Sequence, residues 1–72
     1  MKNITERFQD GIEIALIVAD LSPRAASLKA GYNQNQLSRF LGGSTDIKLV
    51  TLGDIIEKGL GLTVDKVWKL GA

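Results

Sequence analysis

Six of the seven residues from Asn33 to Arg39 carry a side-chain amide, hydroxyl or guanidinium, and the seventh is Leu37. The chain has no histidine and no cysteine to activate a hydroxyl or bind zinc, so the chemistry open to this run is recognition by hydrogen bonds. Asparagine and glutamine match an adenine edge in bidentate fashion and arginine matches guanine, each pair worth about 1–3 kcal/mol of discrimination. Such groups act together only if they leave one face of one element. With Leu37, Phe40 and Leu41 turned inward, a 3.6-residue period sets Asn35, Ser38 and Arg39 on the opposite face and Gln34 at its leading edge. A helix face meant only for solvation favours Glu and Lys over an Asn-Gln-Asn-Gln run. Gln34, Asn35, Ser38 and Arg39 are therefore the candidates for reading base edges. Ser22, Arg24, Asn33, Ser44, Thr45 and Lys48 stand around the same face as candidates for phosphate contacts, which position a protein without reading sequence. Helix-start amides at Pro23-Arg24 and Asn33-Gln34 are expected to add to them, because the dipole there favours anions.

Positioning that face requires helices, and the pattern supplies them. Apolar residues recur at three and four positions and nowhere alternate for long, which predicts an all-α domain. A first helix is expected from Asn3, with Glu6 completing a capping box, to about Asp20. Its core stripe reads Ile4, Phe8, Ile12, Ala15 and Ala19, while Ile14, Ile17, Val18 and Leu21 form a second stripe. That surplus fits either a helix central to the bundle or one that also contacts another molecule. The β-branched run from Ile12 to Val18 is compatible with a strand, but no partner strand lies nearby. Ser22-Pro23 marks the next start, a capping hydroxyl followed by the ring suited to the first helical position. That helix should end at Ala30, with Gly31 as its left-handed closing residue. Tyr32 leads into Asn33 as a new cap, with Gln36 placed for another capping box, and the third helix stops at Gly42-Gly43. A fourth runs from about Leu49 to Gly59 with Leu49, Leu52, Ile55 and Ile56 inward, and Thr63 caps a fifth bearing Val64, Val67, Trp68 and Leu70.

Seventy-two residues make one small domain with a single core, and 44% hydrophobic with 24% charged residues is an ordinary globular balance. The net charge is only +1, but it is unevenly spread. Residues 1 to 21 carry −2, residues 22 to 48 carry +3, and the remainder cancels. Basic charge thus gathers around the hydrogen-bonding face. The most apolar stretch, Ile14 to Ala19, is far short of the roughly 20 residues of a membrane span, and no cleavable signal pattern precedes it. With no cysteine, the expectation is a cytoplasmic protein outside any membrane.

Two short helices joined by a glycine-containing turn form the helix-turn-helix unit, whose second helix enters the major groove. Ser27, Gly31 and Leu37 have its spacing of small residue, turn glycine and apolar pin. The chain resembles the lambda-repressor-like or Cro-type (XRE) helix-turn-helix family. Residues Leu21 to Gly31 look like that family's helix 2, and Asn33 to Leu41 like its recognition helix. Thr51-Leu52, the apolar helix after it, Leu60-Gly61 and the capped Thr63-Val64-Asp65 are similar to its closing pattern. The resemblance covers nearly the whole chain and implies a five-helix bundle that binds double-stranded DNA as a transcriptional regulator of phage or bacterial type. Two positions depart from it. Pro23 stands where many members have a glutamine that braces the recognition helix, and Ser27 replaces the usual alanine.

A module with so little charge binds weakly alone, so a homodimer on a two-fold site is expected, joined through the apolar surplus of the first helix or through Trp68. The alternative for Trp68 is a place in the core. No catalytic residue, metal, cofactor or small-molecule ligand is expected, because histidine, cysteine and a phosphate-binding glycine loop are lacking. The rival to DNA binding is a protein-interaction module, antitoxin-like or a phage accessory, that keeps the same fold.

Overall fold

Helix α1, Ile4–Ala19, begins where local chemistry requires it. The Asn3 side chain accepts the Glu6 N–H at 2.8 Å, and the Glu6 carboxylate takes the Asn3 N–H in return, so two amides with no partner inside the helix are satisfied. Helix α2, Pro23–Lys29, starts on Ser22, whose hydroxyl accepts the Ala25 N–H at 3.1 Å. Gly31 follows it with φ +85° and turns the chain into α3, Gln36–Leu41. Helix α4, Leu49–Asp54, runs on without a break into a π-helical turn, Ile55–Gly59, where the Leu60 N–H reaches the Ile55 carbonyl. Helix α5, Val64–Leu70, is capped by the Thr63 hydroxyl on the Lys66 N–H. The computed structural model describes residues 1–72 as a strand-free assembly of these five helices. No helix is long and apolar enough to cross a membrane.

The core is a single cluster to which every helix contributes: Ile12 and Leu16 from α1, Ala26 from α2, Leu37 and Phe40 from α3, Ile55 and Ile56 after α4, Val67 from α5. Backbones meet closely at two crossings. Gly11 of α1 lies against the Val67 carbonyl, and Gly59 lies against the Ala26 carbonyl, with no room for a Cβ at either place. The α1–α5 seam is finished by Trp68, which tilts against Phe8 with ring centres 5.0 Å apart. The Arg7 guanidinium lies over the Trp68 ring at 3.9 Å and donates to the Trp68 carbonyl. Trp68 therefore belongs to the protein's own packing.

Three expectations of inward-facing residues are corrected. Ile4 and Ala19 are exposed, Leu49 is 80% exposed, and Leu16, assigned to neither stripe, is buried instead. The upper half of α1 is apolar nearly all round, so its sequence carries no phase; the packing of α3 and α5 decides which side is covered. Leu49 belongs to the first turn of α4, which projects beyond the core that Leu52 enters.

Candidate nucleic-acid interface

In the first turn of α3 the amide N–H of Leu37 lies where water is excluded, so the fold has to satisfy it. The Leu37 N–H donates to the Ser27 hydroxyl at 3.2 Å, and that hydroxyl donates to the Pro23 carbonyl at 3.0 Å. Ser27 is fully buried. One oxygen thus ties α3 to α2 at their crossing, where an alanine leaves a buried donor unpaired. At the other end of α3 the Gln9 amide donates to the Phe40 carbonyl at 2.7 Å, fixing it to α1. The turn before α3 is held by Tyr32, whose hydroxyl donates to Asp54 at 2.5 Å. That bond raises the phenol above its ordinary pKa; burial and the neighbouring charge add to the shift, and a bond to Thr51 opposes it.

The start of α3 differs from the expected capping box. The Asn33 side chain accepts the N–H of Asn35 at 2.8 Å, two residues on, and the Gln36 N–H goes to the Asn33 backbone carbonyl. An Asx turn at i+2 competes with a cap at i+3, and here it wins. The regular helix consequently begins at Gln36, and Gln34-Asn35 form a tight turn ahead of it. Asn35 nonetheless holds helical dihedrals and its carbonyl accepts the Arg39 N–H, so the spacing from Asn35 through Ser38 to Arg39 is preserved.

Asn35, Ser38 and Arg39 are exposed, and Gln34 is half-buried. None of their side chains takes part in any hydrogen bond or ion pair within the protein. At i, i+3 and i+4, the three exposed residues have Cβ atoms about 5–6 Å apart. Of the rim candidates, Arg24, Thr45 and Lys48 are exposed. Ser22 and Asn33 use their side-chain oxygens as local acceptors, and the Ser44 hydroxyl accepts the Asp46 N–H at 3.4 Å. The chain's two ion pairs, Lys2–Asp10 and Lys69–Asp65, lie elsewhere. Arg24, Lys29, Arg39 and Lys48 therefore form no ion pair with a carboxylate, and Asp46 is the one acidic residue that shares a cleft with Arg39.

Two residues join this surface beyond those expected. Gln36, freed from capping, and Asp46 share a cleft with Arg39 and Ser44. The Asn-x-Asn spacing that favours the Asx turn is a signal for Gln36; Asp46 has no comparable sequence signal. No group of three or more side chains comes together that could hold a metal ion. No known protein family, curated protein or solved structure matches the chain.

Proposed function

We propose that this chain is a sequence-specific duplex-DNA-binding regulator in which α2 and α3 act as a helix-turn-helix and α3 lies in the major groove. The observation that carries the reading is the outer face of α3. Asn35, Ser38 and Arg39 have all their hydrogen-bonding capacity free, on an element tied at both ends and at its crossing by Gln9, Tyr32 and Ser27. Free donors and acceptors on a rigid support are what direct readout of base edges requires. Four cations of the middle third that form no ion pair supply attraction to phosphate, and the resemblance to the lambda-repressor-like family points the same way. In this reading Gln34, Asn35, Ser38 and Arg39 contact bases. Arg24, Thr45 and Lys48, with Ser22, Asn33 and Ser44, flank them along the backbone.

The protein acts as a homodimer in this reading, through the apolar face that the first turn of α4 presents. Leu49 and Val50 are 80% and 75% exposed, and two clefts that share Phe8, Leu49 and Leu52 reach from Leu49 to Ile4 on one side and Val64 on the other. This face is almost uncharged, so two copies meet on it without bringing like charges together. It lies one loop away from α3, so a two-fold axis there pairs two copies of the reading face.

The test is a fluorescence titration of a labelled duplex library with heparin as competitor, at fixed salt. Wild-type protein is expected to hold a fraction of duplexes that heparin at equal charge does not displace. Asn35→Ala and Arg39→Ala lose that fraction while keeping their circular dichroism. Displacement of all duplex by heparin, or variants indistinguishable from wild type, removes the reading.

A further inference from the structure

The exposed stripe of α1 is composed against the interests of the helix that carries it. Ile17 and Val18 are each 79% exposed and Ile14 is 39% exposed, three β-branched residues on a solvent-facing surface where they favour neither helix formation nor solubility. Beside them, Leu16, Leu21, Pro23 and Leu41 line an open cleft at the α1–α2 corner. Its rim carries two carboxylates, Glu13 and Asp20, and neither has an ion-pair partner. Glu13, Ile17 and Asp20 follow one another at i, i+4 and i+7, so the stripe reads acid, apolar, acid.

Asp20 is the more telling of the two. It ends α1 in the left-handed conformation, φ +56°, the chain's only non-glycine residue with positive φ. Glycine or asparagine takes that position with less strain or no charge, and a negative charge at a helix C-terminus opposes the dipole. The left-handed conformation accommodates aspartate, but its charge at the helix C-terminus is not favoured by the helix.

We propose that this cleft is a docking site for another protein, whose contacting segment is a basic amphipathic helix that seats an apolar side chain in the cleft and sets Lys or Arg against Glu13 and Asp20. Charge complementarity selects this occupant. A second copy of the chain is disfavoured, because antiparallel packing of α1 on itself near Ile17 brings Glu13 against Asp20 of the other copy. The cleft meets the residues assigned to DNA only at the α2 start, Ser22-Pro23, and contains none of the residues assigned to base readout.

The test uses the full chain, labelled with ¹⁵N, and two end-blocked amphipathic peptides that differ only in having Lys or Glu on the polar face. The Lys peptide is expected to shift the amide resonances of residues 13–22 and Leu41, and the Glu peptide to leave them unmoved. Glu13→Gln with Asp20→Asn removes two rim ion pairs and should weaken binding about thirtyfold, taking each pair at the upper end of surface values. Asp20→Asn stays folded, with a melting temperature no lower than wild type. Ile17→Ser abolishes binding. Equal binding of both peptides, shifts located elsewhere, or full binding by Ile17→Ser overturns the proposal. So does sedimentation showing that Ile17→Ser breaks a homodimer, which would give the face to a second copy.

Discussion

Ser27→Ala removes one oxygen from a place with no access to water, and its cost follows from the bonds that oxygen makes. The Leu37 N–H loses its acceptor and, with both residues fully buried, finds no replacement. An unsatisfied buried donor costs about 1–3 kcal/mol. Alanine returns about 0.5 kcal/mol through its better helix propensity, so the penalty wins and the net loss is about 0.5–2.5 kcal/mol. For a domain of this size, with an m-value near 1 kcal/mol/M, the urea midpoint should fall by about 0.5–2.5 M. Circular dichroism at graded urea reads this directly, and an unchanged m-value shows that stability rather than compactness has altered. A midpoint within a few tenths molar of wild type would refute the argument that this hydroxyl locks α3 onto α2.

Four further outcomes are expected. Gly11→Ala and Gly59→Ala each push a Cβ into a backbone carbonyl, of Val67 and of Ala26 respectively, and should each destabilise by about 1–3 kcal/mol or more in the same urea assay. Asn35→Ala and Arg39→Ala should each weaken binding to a selected duplex by about 1–3 kcal/mol, read by fluorescence anisotropy, with unfolding unchanged. With about three phosphates neutralised per protomer, the logarithm of the binding constant should fall against the logarithm of salt with a slope near −3 per protomer. Near-ultraviolet absorbance of the only tyrosine should titrate above the ordinary phenol range, since Asp54 holds the Tyr32 proton. The folded state then keeps a proton that the unfolded chain gives up, so this contribution to stability is complete below the unfolded pKa. It disappears as pH rises through the folded value, and Tyr32→Phe removes that dependence.

How much of this was legible in the sequence depended on whether a feature is local. The caps at Asn3, Ser22 and Thr63 and the left-handed Gly31 follow from side chains bonding within three residues, and each forms as expected. Asn33 shows the limit of that rule, because one asparagine oxygen had two amides in reach and took the nearer. The burial of Leu16 and the exposure of Ile4 and Leu49 are set by which helix arrives from far along the chain. The small residue at position 27 was legible as a requirement of close crossing; the buried hydroxyl bond to Leu37, ten residues on, was not. On the candidate face, helical spacing correctly indicated that Asn35, Ser38 and Arg39 share an exposed side, because Leu37 and Phe40 leave them no alternative.

Selection of duplexes from a random pool at fixed salt, carried out in parallel with wild type and Asn35→Ala, addresses the central claim most directly. Wild type should enrich a two-fold sequence with half-sites about one helical turn apart, and the variant should relax the choice at one base pair of each half-site while keeping the rest. A pool that emerges as random as it entered, or identical winners for both proteins, would contradict the claim that the outer side of α3 reads DNA.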